Sequence, residues 1–315
     1  MSCYHPIHAF RNSVYGDIEF DERKCYGYEW LPVDLPCGRC LGCRIEKSKE
    51  WSIRCQLESD KWSENYFITL TYDDLHVPIE NFVDHTGELV EDTPLVRSDF
   101  TLFFKRLRSY FRDNFSFDGI RVFYCGEYGS LNGRPHYHFI AFNLPLRHFD
   151  LIEDSFVAAG YPYYVCSFLD KLWPYGFHQV NDYSFESACY VARYTLKKLS
   201  PDGLPFYLPL PFIGMSRRPG IGIDSSSVED LFKRDYVSYY DGGAVRKSGF
   251  TKAMKRKFKE LHPDEYACLS DDLQSKKFDL DLQLDEQTDL LRHSRNENAE
   301  RKLYYVLQHS LDKRS

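Results

Sequence analysis

The tripeptide His136-Tyr137-His138 lies between a proline and the apolar run Phe139-Ile140-Ala141-Phe142. That setting reads as a strand. Residues i and i+2 of a strand share a face, so the two imidazoles stand side by side on a rigid platform suited to a divalent metal. Glu127 precedes His136 by nine residues and falls near the end of a neighbouring strand. If the two strands close as a hairpin, its carboxylate completes a facial set of two histidines and one carboxylate, with positions left open for water and substrate. A second set is Tyr190-Val191-Ala192-Arg193-Tyr194. On a helix the two tyrosines are i, i+4 neighbours with Cβ atoms about 5–6 Å apart, and Lys197 continues their stripe. Phenols ionise near pH 10 and are weak nucleophiles at neutral pH. A metal-polarised phosphate and nearby cations would make their attack feasible. A third set is Cys37-Gly38-Arg39-Cys40-Leu41-Gly42-Cys43, with Cys3 and Cys25 also in the N-terminal region. Paired x2 spacings with glycines in the turn form a metal knuckle, and either Cys3 or Cys25 could close a tetrahedral zinc site. The same spacing also matches part of an iron–sulfur run. Structural zinc is the preferred expectation, because this short zone lacks a core of its own and needs a staple.

Four elements must position these residues. Tyr66–Tyr72 is aromatic and β-branched and reads as a strand ended by Asp73-Asp74. Ser98–Asp113 reads as a helix with Phe100, Phe103, Phe104, Leu107, Tyr110 and Phe111 on one apolar stripe. Ile120–Glu127 and Pro135–Asn143 read as two strands joined through Gly129 and Asn132-Gly133, a hairpin. Ser184–Leu199 reads as a second helix, with Ser184 as N-cap and Ser200-Pro201 as its stop. Phe185, Ala188, Ala192 and Leu196 make its apolar stripe, opposite the tyrosines. Cys55, Cys125, Cys166 and Cys189 fall within helix or strand patterns and are expected to pack.

The 315 residues suggest about two domains, or one with appendages. A hydrophobic share of 43% and a charged share of 28% exclude wholesale disorder. No apolar run is long enough to span a membrane, and no secretory signal precedes the first strands. Ten cysteines without such a signal point to reduced thiols in a cytoplasm. The net charge of −7 disfavours a polyanion partner on average, but charge is segregated. Residues 95–147 hold 8 Lys/Arg against 4 Asp/Glu, residues 190–259 hold 14 against 6, and residues 260–300 hold 4 against 12. A basic middle and an acidic tail suit a polyanion partner together with a solvated or regulatory tail. The loop Ser216-Arg217-Arg218-Pro219-Gly220-Ile221-Gly222 could hold phosphates of a DNA strand or be a solvated turn.

Phe67-Ile68-Thr69-Leu70-Thr71, then Pro135-His136-Tyr137-His138, then Tyr190-x3-Tyr194 follow one another in an order more specific than any one of them. Together they resemble the three-motif signature of HUH-type rolling-circle replication initiators. With the Cys37–Cys43 knuckle and the Ser216–Gly222 loop, the chain resembles those of microviruses of gokushovirus type. The resemblance implies an α+β fold: a central antiparallel sheet of about five strands flanked by helices. It implies a Cys-rich segment over 1–60, an HUH endonuclease core over 61–222 and a charged, mainly helical region over 223–315. His136, His138 and Glu127 would hold catalytic Mg2+ or Mn2+, and Tyr190 and Tyr194 would be paired nucleophiles. Arg193 stands where the family usually has lysine and keeps the charge; with Lys197 it would neutralise phosphate. Arg134, Lys198, Arg217 and Arg218 would bind DNA. Cys3, Cys25, Cys37, Cys40 and Cys43 would be the pool for structural Zn2+. The implied partners are single-stranded or origin DNA and the host helicase and polymerase, in the host bacterial cytoplasm, with no membrane. The implied activity is nicking and rejoining through a 5′-phosphotyrosine. Two other classes fit the same residues: a non-catalytic zinc-dependent DNA-binding protein, and a metal nuclease that uses water.

Overall fold

The computed structural model describes residues 3–27, 29–129, 132–153, 163–197, 204–234, 236–241 and 244–268. It divides into two units, one of residues up to Lys47 with those from Ala267 onward, the other Ser48–Tyr266.

In the first unit, β1 (Ile7–Asn12), β2 (Ile18–Glu19) and β3 (Trp30–Leu35) form an antiparallel sheet with β1 central. Asn12 builds the turn after β1: its side-chain oxygen accepts from the backbone N–H of Val14 and Tyr15 at 2.9 and 3.0 Å, and Gly16 follows at φ 75°. The sequence shows little periodicity here because β1 buries only Ala9 and Asn12. Helix α1 (Leu41–Ser59) follows, and the division between the units falls within it.

The second unit is built on a seven-stranded, wholly antiparallel sheet. Chain order gives β4 (Asn65–Tyr72), the small hairpin β5 (Glu80–Val83) and β6 (Leu89–Asp92), α2 (Arg97–Phe115), β7 (Arg121–Tyr128) and β8 (Pro135–Phe142). Then come β9 (Leu151–Glu153), β10 (Tyr164–Cys166), α3 (Ser167–Leu172), β11 (Gly176–Asp182), α4 (Phe185–Lys197) and β12 (Phe212–Met215). The unit ends with α5 (Ser225–Phe232), the hairpin β13 (Val237–Asp241) and β14 (Ala244–Ser248), and α6 (Lys252–Leu261). The sheet order is β12-β7-β8-β4-β11-β10-β9.

Strict alternation along β4 assigns its two faces. Tyr66, Ile68, Leu70 and Tyr72 point into an aromatic core completed by Phe100, Phe103, Leu107 and Phe111 of α2, so the helical stripe read from sequence is the buried one. Phe67, Thr69 and Thr71 belong to the other face. There, Phe123, Cys125, Ile140 and Phe142 pack against Cys55 of α1 and Ala188, Val191 and Ala192 of α4.

Two expectations are corrected. The sheet has seven strands rather than about five. β9 and β10, three residues each, extend one edge and are too short to leave a period in the sequence. The region after 222 is not mainly helical among its described residues, since β13 and β14 pair from Val237↔Ser248 to Asp241↔Ala244. Val237 and Tyr239 are buried beneath α4's Phe185, while Tyr240 faces out, a strand alternation. The acidic stretch beyond residue 268 lies outside the described residues. Among the described residues no helix is long and apolar enough to cross a membrane.

Candidate functional site

The β7–β8 hairpin closes as expected. Gly133 takes the left-handed conformation at φ 65°, and Gly129 N–H donates to the Arg134 carbonyl at 2.8 Å. Its register sets Glu127 opposite His136 and Cys125 opposite His138. The partner strands extend both rows: His136 faces Thr71 and then Phe177, and His138 faces Thr69 and then Gln179. Two four-residue rows therefore cross the end of one sheet face, beyond the reach of the apolar core beneath α4.

The carboxylate does not bond its direct register partner. Glu127 Oε1 lies 2.9 Å from His138 Nε2, on the diagonal, and both side chains are buried. The other ring nitrogens meet threonines: Thr69 Oγ1 is 2.9 Å from His138 Nδ1, and Thr71 Oγ1 is 3.0 Å from His136 Nδ1. The two imidazole centroids are 6.2 Å apart. His136 is seated over Gly129, where a Cβ would lie 2.8 Å from its Nε2. Glycine is needed there because the ring occupies the space a side chain would take.

α4 delivers the tyrosine. Ser184 caps it, accepting from Ser187 N–H at 3.1 Å, as the sequence reading expects. Ala188, Val191 and Ala192 anchor the helix on the sheet. Tyr190 then meets His138 edge to face at a centroid distance of 5.5 Å and Phe67 at 5.9 Å. Tyr190, Glu127, His136, His138, Thr69, Thr71, Phe177 and Gln179 line a cavity of about 450 Å³. The two histidines, the carboxylate and Tyr190 thus meet in one open pocket. Two oxygen-bonded imidazoles and a carboxylate are a donor set that fits a hard or borderline divalent cation. Arg193, Tyr194 and Lys197 lie on α4, but their side chains, like all of Lys198, lie outside the described residues.

The remaining basic residues lie apart from that cluster. Arg134 donates to the Tyr72 carbonyl at 2.7 Å and pairs with Asp74, clamping the hairpin to the end of β4. Arg217 and Arg218 are exposed on their loop. A buried charged network pins that loop. Glu58 accepts from Gly222 N–H at 2.8 Å and from Arg121 Nε, Arg121 donates to the Pro219 carbonyl at 2.7 Å, and Arg54 donates to the Ile221 carbonyl at 2.9 Å. Thr69, Thr71, Gly129, Phe177 and Gln179 were not expected in a site. Counting alternate positions along β4 from the buried Ile68 and Leu70 would have put both threonines on the histidine face.

In the first unit, Cys3, Cys37, Cys40 and Cys43 bring their sulfurs within 4.8 Å of one another and could hold a metal ion; among the described residues they are the one such His, Cys, Asp or Glu group. Backbone amides point at the sulfurs: Cys37 N–H donates to Cys3 Sγ at 3.2 Å, Cys40 N–H to Cys37 Sγ at 3.3 Å and Tyr4 N–H to Cys40 Sγ at 3.4 Å. Burial pushes the Cys37 thiol up, but the Cys40 and Arg39 amides outweigh it and bring its pKa down to about 7. Burial pushes Cys43 up to about 12. Cys25 is not in the group; its thiol turns to the Asp21 carbonyl at 3.5 Å, so the choice between Cys3 and Cys25 falls to Cys3.

Residues 65–199 match the family model for the replication-associated protein ORF2. The chain is 30% identical over 282 residues to replication-associated protein ORF2 of Spiroplasma virus 4, covering 84% of this chain and 83% of that one. It is 30% identical over 271 residues to replication-associated protein VP4 of Bdellovibrio phage phiMH2K, covering 84% and 80%. Replication-associated protein ORF4 of Chlamydia phage 1 is 30% identical over 167 residues, covering 52% and 38%. No solved structure matches. The family model spans β4 through α4, the elements that build the pocket, and the likeness runs through most of both chains in two relatives. The chain belongs to the replication-associated protein ORF2 family.

Proposed function

We propose that this protein initiates rolling-circle replication of a small single-stranded DNA phage by nicking single-stranded or origin DNA through a tyrosine nucleophile. On this reading the second unit is an HUH-type endonuclease, acting in the host cytoplasm with host helicase and polymerase. The observation that carries it is the placement of Tyr190, 5.5 Å from His138 and beside the Glu127–His138 pair in an open pocket. A purely structural tyrosine gains nothing from facing a carboxylate and two imidazoles across a cavity.

Glu127, His136 and His138 would hold Mg2+ or Mn2+, whose charge would draw electron density from the scissile phosphate. The Tyr190 or Tyr194 oxygen attacks phosphorus and gives up its proton to solvent. The bond from phosphorus to the 3′-oxygen breaks, and that oxygen takes a proton to become the 3′-hydroxyl primer. The 5′-phosphate stays on the enzyme as a phosphotyrosine. Arg193 and Lys197, on the same helix, offset the charge that builds on phosphate. The second tyrosine attacks the regenerated origin after a round, and the first ester is then resolved by the new 3′-hydroxyl. The phosphodiester energy is kept throughout, so no ATP is required. Arg134, Lys198, Arg217 and Arg218 would track the DNA backbone.

We also propose structural zinc at Cys3, Cys37, Cys40 and Cys43. Four converging sulfurs, with amides directed at three of them, make a closed tetrahedral set that leaves no position for substrate.

The test of the nicking reading uses full-length protein, Mn2+ and a labelled single-stranded oligonucleotide carrying the cognate origin. A protein–DNA adduct that survives denaturation, and is lost in the Tyr190→Phe/Tyr194→Phe double variant and in His138→Ala, is expected. Cleavage without an adduct would mean a water-using nuclease, and binding without cleavage a zinc-dependent DNA-binding protein.

A further inference from the structure

The segment Phe67–Thr71 has so far served only as a strand. Its threonines, however, occupy interior positions of a central strand, where an apolar β-branched residue packs best. Valine would fill nearly the same space. The hydroxyl is the difference, and each hydroxyl goes to one histidine: Thr69 to His138 Nδ1 at 2.9 Å and Thr71 to His136 Nδ1 at 3.0 Å. The register makes both pairs direct cross-strand partners. Ile68 and Leu70, fully buried on the opposite face, lock the strand so that neither threonine can turn away.

We infer that Thr69 and Thr71 are positioning residues that hold the imidazoles of His138 and His136 by Nδ1 and so reserve both Nε2 atoms for the pocket. This rests on the reading of that pocket as a divalent-cation site. A hydroxyl suits the task because it both donates and accepts. While His138 Nε2 carries its proton toward Glu127, at 2.9 Å, Nδ1 accepts from Thr69 O–H. When Nε2 turns to a cation its proton is given up and Nδ1 is protonated, and the same hydroxyl accepts from it. No net proton is released, and the ring keeps its place in both states. A valine can do neither. Gly129 completes the arrangement, since its lack of a Cβ leaves His136 Nε2 room above the strand end.

The test compares Thr69→Val and Thr71→Val with Thr69→Ser and Thr71→Ser in the full chain. Mn2+ affinity is read by calorimetry, and ring-nitrogen chemical shifts by NMR on histidine-labelled, metal-free protein. Each valine is expected to weaken Mn2+ binding about 10-fold or more and to move the Nδ1 shift of its own histidine, and each serine to restore both. Valine variants that keep Mn2+ affinity and leave the Nδ1 shifts unchanged would overturn the positioning role. If the wild-type chain binds no Mn2+ at the pocket, the cation reading falls. The metal-free shifts then decide by themselves: an Nδ1 change reversed by serine supports the hold on the rings, and no change overturns it.

Discussion

The four-thiol cluster and the histidine pocket both gather metal-ligating side chains, yet they are built in opposite ways. The cluster draws its sulfurs from a knuckle and the N-terminal strand region, surrounds them with backbone N–H donors and closes on itself. The pocket sets its donors along two strands and fixes them from behind with threonine hydroxyls. Its front opens on a cavity of about 450 Å³ with a tyrosine at the rim. A closed tetrahedral set contributes folding energy, whereas an open set with a free side contributes chemistry. One chain thus separates the metal that would hold its fold from the metal that would act on its substrate.

The largest effect expected is on the closed side. Structural zinc in such sites is worth on the order of 10 kcal/mol or more. Cys40→Ser is therefore expected to lose stoichiometric zinc, read by elemental analysis, and to unfold the N-terminal unit, read by proteolysis. Chelation mild enough to remove only Mn2+ is expected to leave the melting temperature unchanged. Iron in place of zinc in the purified protein would replace this account of the cluster with an iron–sulfur one.

On the open side the order reverses, with activity falling far more than stability. His138→Ala is expected to cut adduct formation at least about a thousandfold, since it removes both a cation ligand and the partner of Glu127. Its unfolding free energy should fall by only about 1–3 kcal/mol, the cost of leaving the buried carboxylate without that bond. Phe103→Ala, on the aromatic face of the same sheet, sharpens the contrast. It should cost about 3–5 kcal/mol in denaturant unfolding and leave the rate of adduct formation by the folded fraction unchanged. The smallest effect belongs to Gly129→Ala. The new Cβ would lie 2.8 Å from His136 Nε2, so the ring must move. Adduct formation should fall by up to about a hundredfold, with a melting temperature close to that of the wild type.

Much of this arrangement is legible in the sequence, for physical reasons. The α2 stripe from Phe100 to Phe111 is a 3.6-residue period long enough to stand out, and the β7–β8 turn carries glycines where φ must be positive. Those two features bring Glu127 and the histidines together on paper. Which imidazole takes the carboxylate is decided by side-chain packing, with His136 drawn onto Gly129 and His138 left to bond Glu127. Spacing alone holds no trace of that choice. The fourth thiol depended on chain closure in the same way, since Cys3 and Cys25 are equivalent candidates by composition. The N-terminal sheet and the edge strands β9 and β10 escape because they bury too little to impose an alternation. The threonines of β4 were visible as a motif, but their role depends on the residues across the strand.

The central claim is tested most directly by finding where the DNA is attached. After reaction with Mn2+ and origin oligonucleotide, nuclease trimming and tryptic digestion would be followed by mass spectrometry. Cleavage after Arg193 separates a peptide ending in Tyr190-Val191-Ala192-Arg193 from Tyr194-Thr195-Leu196-Lys197. A nucleotide 5′-phosphate on Tyr190 or Tyr194 is the predicted result. Nicked DNA bearing a free 5′-phosphate, with both peptides unmodified, would contradict it.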